Sequence, residues 1–338
     1  MNYSSVGIQG IGYCVPEKRI TNDDVVNMTG LDKEKVEFFT GLEERRWANH
    51  EEAFSTFGIA AAKEALDDAG VSPRDIRLLI VATGSGDFYS PAVGCLIQHE
   101  LGLENAFVLN LNQACAAPNY ALATAIRFMI DGTYDKALVI CGDVTTRMLS
   151  RHENLFVGFL GDAASAVVLG KLKDEKKGFI SEHFDSDGRY FYGSGLFNWG
   201  SRVPREELGE GKEYFITRDE IAGILLPNII KWFKISFHSC LEKGNLKQED
   251  INFISPHPAA MSQIIAQLES INENLSKTHL VTDLYGHSGG GTTFIVLKEA
   301  LKNGKLKPGD LIYSFGNGAG FQWAGMIFRW CDRDEFID

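Results

Sequence analysis

Residues 109–125 read LNLNQACAAPNYALATA and form the most informative segment of the chain. A short apolar run leads into Ala-Cys-Ala-Ala, and a segment with helical spacing follows. Cys115 therefore lies near a predicted helix N-terminus, where exposed backbone N–H groups favour a thiolate over a thiol. A thiolate is the nucleophile that attacks a thioester carbonyl. The alternative is a buried, inert cysteine, which is our interpretation of Cys95 and Cys141.

The segments around Cys115 alternate between strand-like and helix-like patterns. Short apolar runs predict buried strands, whereas apolar residues three and four positions apart predict helices. Gly70 closes one helical pattern and marks a helix stop. In this part of the chain the predicted strands are 76–83, 136–144 and 163–170, and the predicted helices are 57–70 and 117–132. Such alternation is typical of an α/β protein.

A charged stretch at residues 171–178 is the best candidate for a domain boundary. It predicts two halves, residues 1–172 with Cys115 and residues 173–338 with the candidate histidines. Pro227 is expected to kink or restart a helix in the second half. There the predicted strands are 250–257, 278–286 and two within 310–330, and the predicted helices are 221–244 and 292–304.

The two halves are weakly similar to each other. DIRLLIVAT (75–83) parallels DINFISPHP (250–258), and GDAASAVVLG (161–170) parallels GNGAGFQWAGMIFR (316–329). We take this similarity as a hypothesis of internal duplication. A duplication would bring functional residues together where the two halves face each other.

Composition and charge exclude several classes of protein. With 338 residues, 44% of them hydrophobic, the chain can bury a core in one or two domains. There are 33 Lys and Arg against 45 Asp and Glu, and the net charge of −12 argues against broad binding to nucleic acid or anionic membrane. The sequence has no signal-peptide pattern, no membrane-spanning run and no CxxC pair. We therefore expect a cytoplasmic protein without a metal or cofactor.

Two further segments carry candidate catalytic side chains. His257 ends a predicted strand in Ser-Pro-His-Pro, where it could act as a general base or an N–H donor. Residues 286–291, GHSGGG, match the G-x-S-x-G nucleophile elbow of α/β-hydrolases, with Ser288 as the nucleophile. In those enzymes a catalytic histidine follows the serine, and no histidine follows Ser288 here. The hydrolase interpretation is therefore disfavoured, and a plain glycine turn is the simpler alternative.

A second glycine-rich cluster occupies residues 316–323, GNGAGFQW. It lacks the Lys-Ser/Thr of a phosphate-binding loop and the spacing of a dinucleotide fingerprint. Its backbone N–H groups could approach a developing oxyanion. The alternative is a tight hairpin turn without a chemical role.

Taken together, these segments resemble the thiolase superfamily, most closely the β-ketoacyl-[acyl-carrier-protein] synthase III group. The resemblance covers nearly the whole chain, and its landmarks occur in family order. They are TGLEERRW (40–47), residues 80–102, the Cys115 segment, FLGDAASAVVLG (159–170), ISPHPAA (254–260), YGHSGGGTT (285–293) and FGNGAGFQWAG (315–325). The resemblance implies a duplicated α/β fold in five layers, α-β-α-β-α. It also implies a homodimer with the active site between the halves of each chain.

The resemblance further implies roles for named residues. Cys115 matches the cysteine that takes an acyl group from a thioester, and the N–H groups of Cys115 and Ala319 match the oxyanion donors. His257 matches the histidine that, with an asparagine, polarises the thioester carbonyl of a malonyl donor. Decarboxylation then gives an enolate that attacks the acyl-cysteine. The substrates would be thioesters of coenzyme A or of an acyl carrier protein.

Three features depart from the family pattern. His287 stands where the asparagine is expected, and an imidazole can donate one N–H, carry a charge or act as a base. Lys35 and Phe39 replace the Trp and Arg that often bind coenzyme A. Residues 259–262 lack the arginine that helps a carrier protein to dock. A basic docking patch would then come from other lysines, for example Lys302, Lys305 and Lys307.

We therefore predict an acyltransferase that forms an acyl-Cys115 intermediate and condenses it with a malonyl-type thioester, in specialised or unusual lipid metabolism. Two alternatives stay open. The first is transfer without decarboxylation to an oxygen or nitrogen acceptor, with His257 and His287 as bases. The second is a catalytically silent partner subunit of a heteromeric synthase, which the presence of Cys115 and His257 argues against.

Overall fold

The structure is a computed structural model that describes residues 5–149, 155–174, 176–195, 197, 201, 216–217 and 219–337. The strands are β1 (Val6–Cys14), β2 (Arg19–Thr21), β3 (Glu44–Arg46), β4 (Leu78–Ala82), β5 (Phe107–Leu111), β6 (Lys136–Asp143), β7 (Ala163–Lys171), β8 (Phe179–Ser186), β9 (Ser194–Gly195), β10 (Ile216–Thr217), β11 (Phe253–Ser255), β12 (Leu311–Gly318) and β13 (Gln322–Arg329). The helices are α1 (Asn22–Thr29), α2 (Lys33–Thr40), α3 (Phe54–Ala69), α4 (Gly94–Glu100), α5 (Ala117–Met129), α6 (Leu155–Phe159), α7 (Asp219–Gly244), α8 (Met261–Glu269), α9 (Thr282–Tyr285) and α10 (Gly291–Lys302).

Two mixed sheets of the same design form the core of the fold. The first has the strand order β1-β7-β6-β4-β5, and the second has the order β8-β13-β12-β11. In the first sheet β7 is antiparallel to β1 and β6, and β4 is parallel to β6. In the second sheet β13 is antiparallel to β8 and β12, and β11 is parallel to β12. The matching order and directions support the predicted duplication.

The helices cover both sheets and complete five layers. α3 packs on the outer face of the first sheet, and α7 packs on the outer face of the second. α5 lies between the sheets, since it contacts β4 and β6 on one side and β12 and β13 on the other. α10 occupies the same middle layer and contacts β1, β7 and β11. The predicted α-β-α-β-α architecture is confirmed.

The exact boundary between the halves stays a prediction. The two sheets draw their strands from opposite sides of residue 172. Residue 175, within the charged stretch at 171–178, lies outside the described residues. No helix in the described part of the chain is both long and apolar enough to cross a membrane.

Most predicted elements lie where the sequence indicated, with one wrong assignment. The predicted strand at 278–286 is instead an irregular segment followed by the short helix α9. Gly286 follows the last residue of α9, and its φ of 73° is a conformation that favours glycine. No described segment pairs with the free edge of β11, where a fifth strand of the second sheet would lie. α7 runs through Pro227 as a single helix, so the helix does not restart there.

β1 and α3 pack closely because glycine faces the helix. A Cβ atom added to Gly10 would lie 2.5 Å from the carbonyl oxygen of Ala65 and 2.5 Å from the backbone nitrogen of Ala69. A Cβ atom on Gly12 would meet the α3 backbone in the same way. This contact anchors the edge strand of the first sheet to its outer helix layer.

Replacing Gly10 by alanine is expected to lower the free energy of unfolding by about 1–3 kcal/mol, because the new methyl group forces strand and helix apart. Gly188→Ala is the matched control, since a Cβ atom there has no heavy atom within 4 Å and the expected change is below about 0.5 kcal/mol. Urea denaturation of both variants measures the difference. Equal stabilities would show that the β1–α3 contact is not tight.

Candidate active site

Cys115 lies at the junction between the first sheet and the central helix. β5 ends at Leu111, and the chain then makes a single 3-10 turn at Ala114–Ala116 before α5 begins. Ala114 has φ 45°, a left-handed conformation that a non-glycine residue adopts only at an energetic cost. The turn places Cys115 directly before α5, as the sequence predicted.

The glycine-rich hairpin between β12 and β13 presses against this turn. A Cβ atom on Gly318 would lie 2.6 Å from the carbonyl oxygen of Gln113 and 3.2 Å from the backbone nitrogen of Ala116. Glycine is therefore required there because two backbones meet. Ala319 follows in the same hairpin and lines a cavity together with Cys115. The hairpin of the second half thus contacts the cysteine turn of the first half.

His287 is held by the last residue of α6 and by the segment that follows it. Its backbone N–H donates to the carbonyl of Phe159 (3.1 Å), and its carbonyl accepts from the N–H of Gly161 (3.0 Å). The imidazole stacks on the Phe159 ring, with centroids 5.2 Å apart and planes at 29°. The side chain is 2% exposed, so its orientation is fixed by packing as well as by hydrogen bonds.

The two nitrogens of His287 have different partners. Nδ1 lies 2.8 Å from the carbonyl oxygen of Pro258, and Nε2 lies 3.1 Å from Sγ of Cys115. A carbonyl oxygen only accepts hydrogen bonds, so the proton of the neutral ring resides on Nδ1. Nε2 then presents a lone pair to the thiol. Unlike an amide at this position, neutral His287 directs no N–H toward Cys115.

His257 completes the cluster. It follows β11 between two prolines and is 4% exposed. Its ring lies 5.0 Å from the His287 ring, centroid to centroid, at 71°. Among the described residues, its buried Nδ1 has no hydrogen-bond partner. The structure therefore brings Cys115, His257 and His287 together, as the sequence predicted.

The burial of this cluster keeps all three groups neutral near pH 7. Loss of water around the thiol raises the pKa of Cys115 to about 12, and the Asp143 carboxylate adds to this shift. Burial lowers the pKa of His287 to about 4. Burial and then the neighbouring His287 hold the pKa of His257 well below its usual range. Burial and Asp143 thus oppose the thiolate expected at the helix N-terminus, and that expectation stays a prediction.

Two cavities meet at Cys115. One, of about 330 Å³, is mostly apolar and also contacts both histidines and Ala319. Its apolar lining includes Phe39, Phe159, Leu160, Ile229 and Phe321. The other, of about 480 Å³, has polar lining groups that include Asn112, Asp143, Thr145 and Gln322. A substrate could therefore reach the thiol from either of two sides.

Asp143 is the site residue that sequence reasoning missed. It ends β6 and is 6% exposed, and one of its carboxylate oxygens accepts from the N–H of Gly84 (2.8 Å) and from the hydroxyls of Thr83 and Ser85. Burial raises its pKa to about 6. An acidic residue at the end of a buried strand was the available signal in the sequence.

Ser288 and the basic residues named from the sequence lie outside the cluster. The hydroxyl of Ser288 lies 3.1 Å from that of Thr292 in α10, and the serine lines neither cavity at Cys115. Lys302 is 2.8 Å from Glu299, and Lys305 donates to the carbonyl of Thr278. Phe39 lines the apolar cavity, whereas Lys35 is exposed.

The five layers, with a cysteine before the central helix and two histidines beside it, define a thiolase-type protein. Residues 109–188 match the family model described as 3-oxoacyl-[acyl-carrier-protein (ACP)] synthase III, and residues 241–330 match the model of its C-terminal part. The β-ketoacyl-[acyl-carrier-protein] synthase III 1 of Bacillus cereus is 33% identical over 328 residues, which cover 96% of this chain and 99% of that protein. The chain belongs to the β-ketoacyl-[acyl-carrier-protein] synthase III family and is an acyltransferase.

Solved structures agree with this assignment. The 3-oxoacyl-[acyl-carrier-protein] synthase III of Aquifex aeolicus superposes with a TM-score of 0.85 at 27% identity, covering 96% of this chain and 100% of that one. The synthase III of Thermus thermophilus superposes with a TM-score of 0.87 at 26% identity, covering 96% and 99%. The thiolase-like fold predicted from the sequence is thereby confirmed.

Replacing Gly318 by alanine is expected to lower acyltransferase activity at least about tenfold, because the Cβ atom would displace the Cys115 turn. Gly86→Ala is the matched control, since a Cβ atom there makes only ordinary contacts at 3.5 Å or more. Circular dichroism checks that both variants fold. Full activity of Gly318→Ala would show that the hairpin does not position the cysteine.

Proposed function

We propose that the protein loads an acyl group onto Cys115 and condenses it with a malonyl-type thioester. The observation that carries the proposal is the convergence of Cys115, His257 and His287 at the junction of two cavities. One cavity can hold the acyl chain while the other admits the thioester. Membership of the synthase III family supports the same reaction.

The first step is acyl transfer to sulfur. The thiol of Cys115 keeps its proton until a thioester is bound, because burial disfavours the free thiolate. As Sγ bonds to the acyl carbonyl carbon, the thiol proton passes to Nε2 of His287, 3.1 Å away. The thioester C–S bond then breaks, and the leaving thiolate takes that proton. The N–H groups of Cys115 and Ala319 are the proposed donors to the oxyanion.

The second step forms the carbon–carbon bond. The malonyl thioester loses carbon dioxide, and the electron pair forms an enolate that attacks the carbonyl of acyl-Cys115. The C–S bond to Cys115 breaks, a 3-oxoacyl thioester leaves, and the cysteine takes up one proton from solvent. His257 is the proposed N–H donor to the enolate oxygen.

His287 affects acylation of the cysteine and decarboxylation of the malonyl group differently. Its proton lies on Nδ1 toward Pro258, so in the neutral state it accepts a proton from Cys115 but donates none to the enolate. An asparagine at this position could supply that second N–H. The arrangement therefore favours acylation of the cysteine over decarboxylation of the malonyl group.

The same observation favours a second candidate function. A lone pair of His287 that faces the acyl-cysteine could deprotonate a hydroxyl or amine acceptor. The acceptor oxygen or nitrogen would then bond to the acyl carbon, and Cys115 would leave with the proton from His287. The product would be an ester or amide, with no carbon dioxide released.

The partners follow from the proposed reaction. We propose acyl-coenzyme A or an acyl carrier protein as donor, a homodimeric cytoplasmic enzyme, and a role in specialised or unusual lipid metabolism. Curated relatives carry the acyl carrier protein in their names, which supports this donor. All six cysteines are free, which fits a reducing compartment. Light scattering after gel filtration tests the dimer, which would have twice the chain mass of 37.4 kDa.

Incubation with a panel of acyl thioesters in EDTA-containing buffer is expected to add one acyl mass to the wild-type protein and none to Cys115→Ala. Cys95→Ala is the matched control, because Cys95 is exposed and lies outside the cavities, and it should still be acylated. Intact-mass spectrometry reads the adduct. The absence of an adduct with every donor would support the silent-subunit alternative instead.

The acylated protein is then given a malonyl thioester, and carbon dioxide release above a buffer control is expected. His287→Asn removes the proposed proton acceptor for acylation, so release is compared per acylated cysteine. On that basis the variant should keep or raise the release, because the amide restores an N–H donor to the enolate. If only the variant releases carbon dioxide and the wild type forms an ester or amide, condensation is not the native reaction. The second candidate function would then be supported instead.

A further inference from the structure

We propose that Cys115, His257 and His287 also form a binding site for Zn²⁺, and that the bound ion reversibly blocks acylation of the cysteine. Sγ of the cysteine and one ring nitrogen of each histidine lie within 4.8 Å of one another. In the described part of the chain, no other group of three His, Cys, Asp or Glu side chains converges in this way. The site is an inhibitory one, separate from any cofactor role.

The donor set matches the preferences of zinc. Zn²⁺ binds thiolate sulfur at about 2.3 Å and imidazole nitrogen at about 2.0–2.1 Å in tetrahedral geometry, so one sulfur and two nitrogen ligands lie roughly 3.3–3.6 Å apart. Sγ and Nε2 of His287 are already 3.1 Å apart. The ligand atoms all lie within 4.8 Å of one another, so the remaining separations must shorten by at most about 1.5 Å. Three protein ligands leave a fourth position for water from the adjoining cavities, as in exchangeable zinc sites.

The hydrogen bond to Pro258 prepares His287 as a ligand. Zinc-bound histidines generally donate their other ring N–H to a carbonyl or carboxylate, which fixes the tautomer and aims the free nitrogen. Nδ1 of His287 has such a partner, so Nε2 carries its lone pair toward the cluster. An amide side chain at position 287 would leave only two ligands. His287, in place of the asparagine expected in the family, therefore supplies the third ligand of the site.

The carboxylate of Asp143 makes the electrostatic surroundings of the cluster compatible with a bound cation. A zinc–thiolate unit carries one net positive charge, and the buried carboxylate of Asp143 is close enough to Cys115 to interact with it electrostatically. The sulfur cannot hold an acyl group and act as a thiolate ligand at the same time. Zinc and acyl donors therefore compete for Cys115.

The test uses the full-length, untagged, metal-stripped protein. Titration with Co²⁺, a spectroscopic substitute for Zn²⁺, is expected to give one equivalent of visible absorption with a thiolate-to-cobalt charge-transfer band. Competition against a chromophoric chelator then gives the Zn²⁺ affinity. His287→Asn should weaken this affinity at least about hundredfold, whereas the matched His50→Asn, on an exposed side chain, should not change it.

Cys115→Ala should give no charge-transfer band, whereas Cys95→Ala, which changes an exposed cysteine outside the cluster, should keep it. Equal Zn²⁺ affinities for the wild type, His287→Asn and Cys115→Ala, with native circular dichroism for each, would overturn the proposal. Acyl-adduct formation is measured in EDTA, which removes any bound Zn²⁺. The result for acyl transfer is therefore independent of the result for the metal site.

Discussion

The hydrogen bond from Nδ1 of His287 to the carbonyl of Pro258 sets the chemistry of this site. It assigns the ring proton to the side away from the cysteine and leaves Nε2 as an acceptor 3.1 Å from Sγ. Both partners belong to the second half of the chain, whereas Cys115 belongs to the first. The contact between His287 and Cys115 therefore exists only where the two halves are packed against each other.

Several close backbone contacts keep that packing in register. Gly318 lets the β12–β13 hairpin touch the cysteine turn, and Gly161 lets the segment after α6 touch the carbonyl of Tyr285. A Cβ atom at Gly161 would lie 2.0 Å from that oxygen. Gly286 and Gly318, one from each of the glycine-rich segments, thus allow the two halves to approach, as Gly161 does from the first half.

The sequence predicted the layers of the fold and the members of the cluster well. Apolar periodicity located most strands and helices, and Gly70 does end α3 in the left-handed conformation. Cys115 and His257 were identified through spacing and family resemblance, because single residues carry little signal. The prediction of a strand at 278–286 was wrong, because an apolar run does not reveal whether a neighbouring strand edge will pair with it.

Other properties of the site depend on three-dimensional surroundings that no local pattern encodes. Cys115 does lie directly before α5, yet the burial and the Asp143 carboxylate that raise the pKa of its thiol come from the tertiary structure. The tautomer of His287 depends on a carbonyl 29 residues away. The lysines considered for docking are partly engaged within the chain, as Lys305 is with Thr278.

The most direct test of this account is the ¹⁵N NMR spectrum of histidine-labelled protein near pH 7, with His287→Asn used to assign the signals. We predict a protonated Nδ1 and an unprotonated Nε2 for His287. A protonated Nε2, directed at Cys115 as the amide of an asparagine would be, would contradict it.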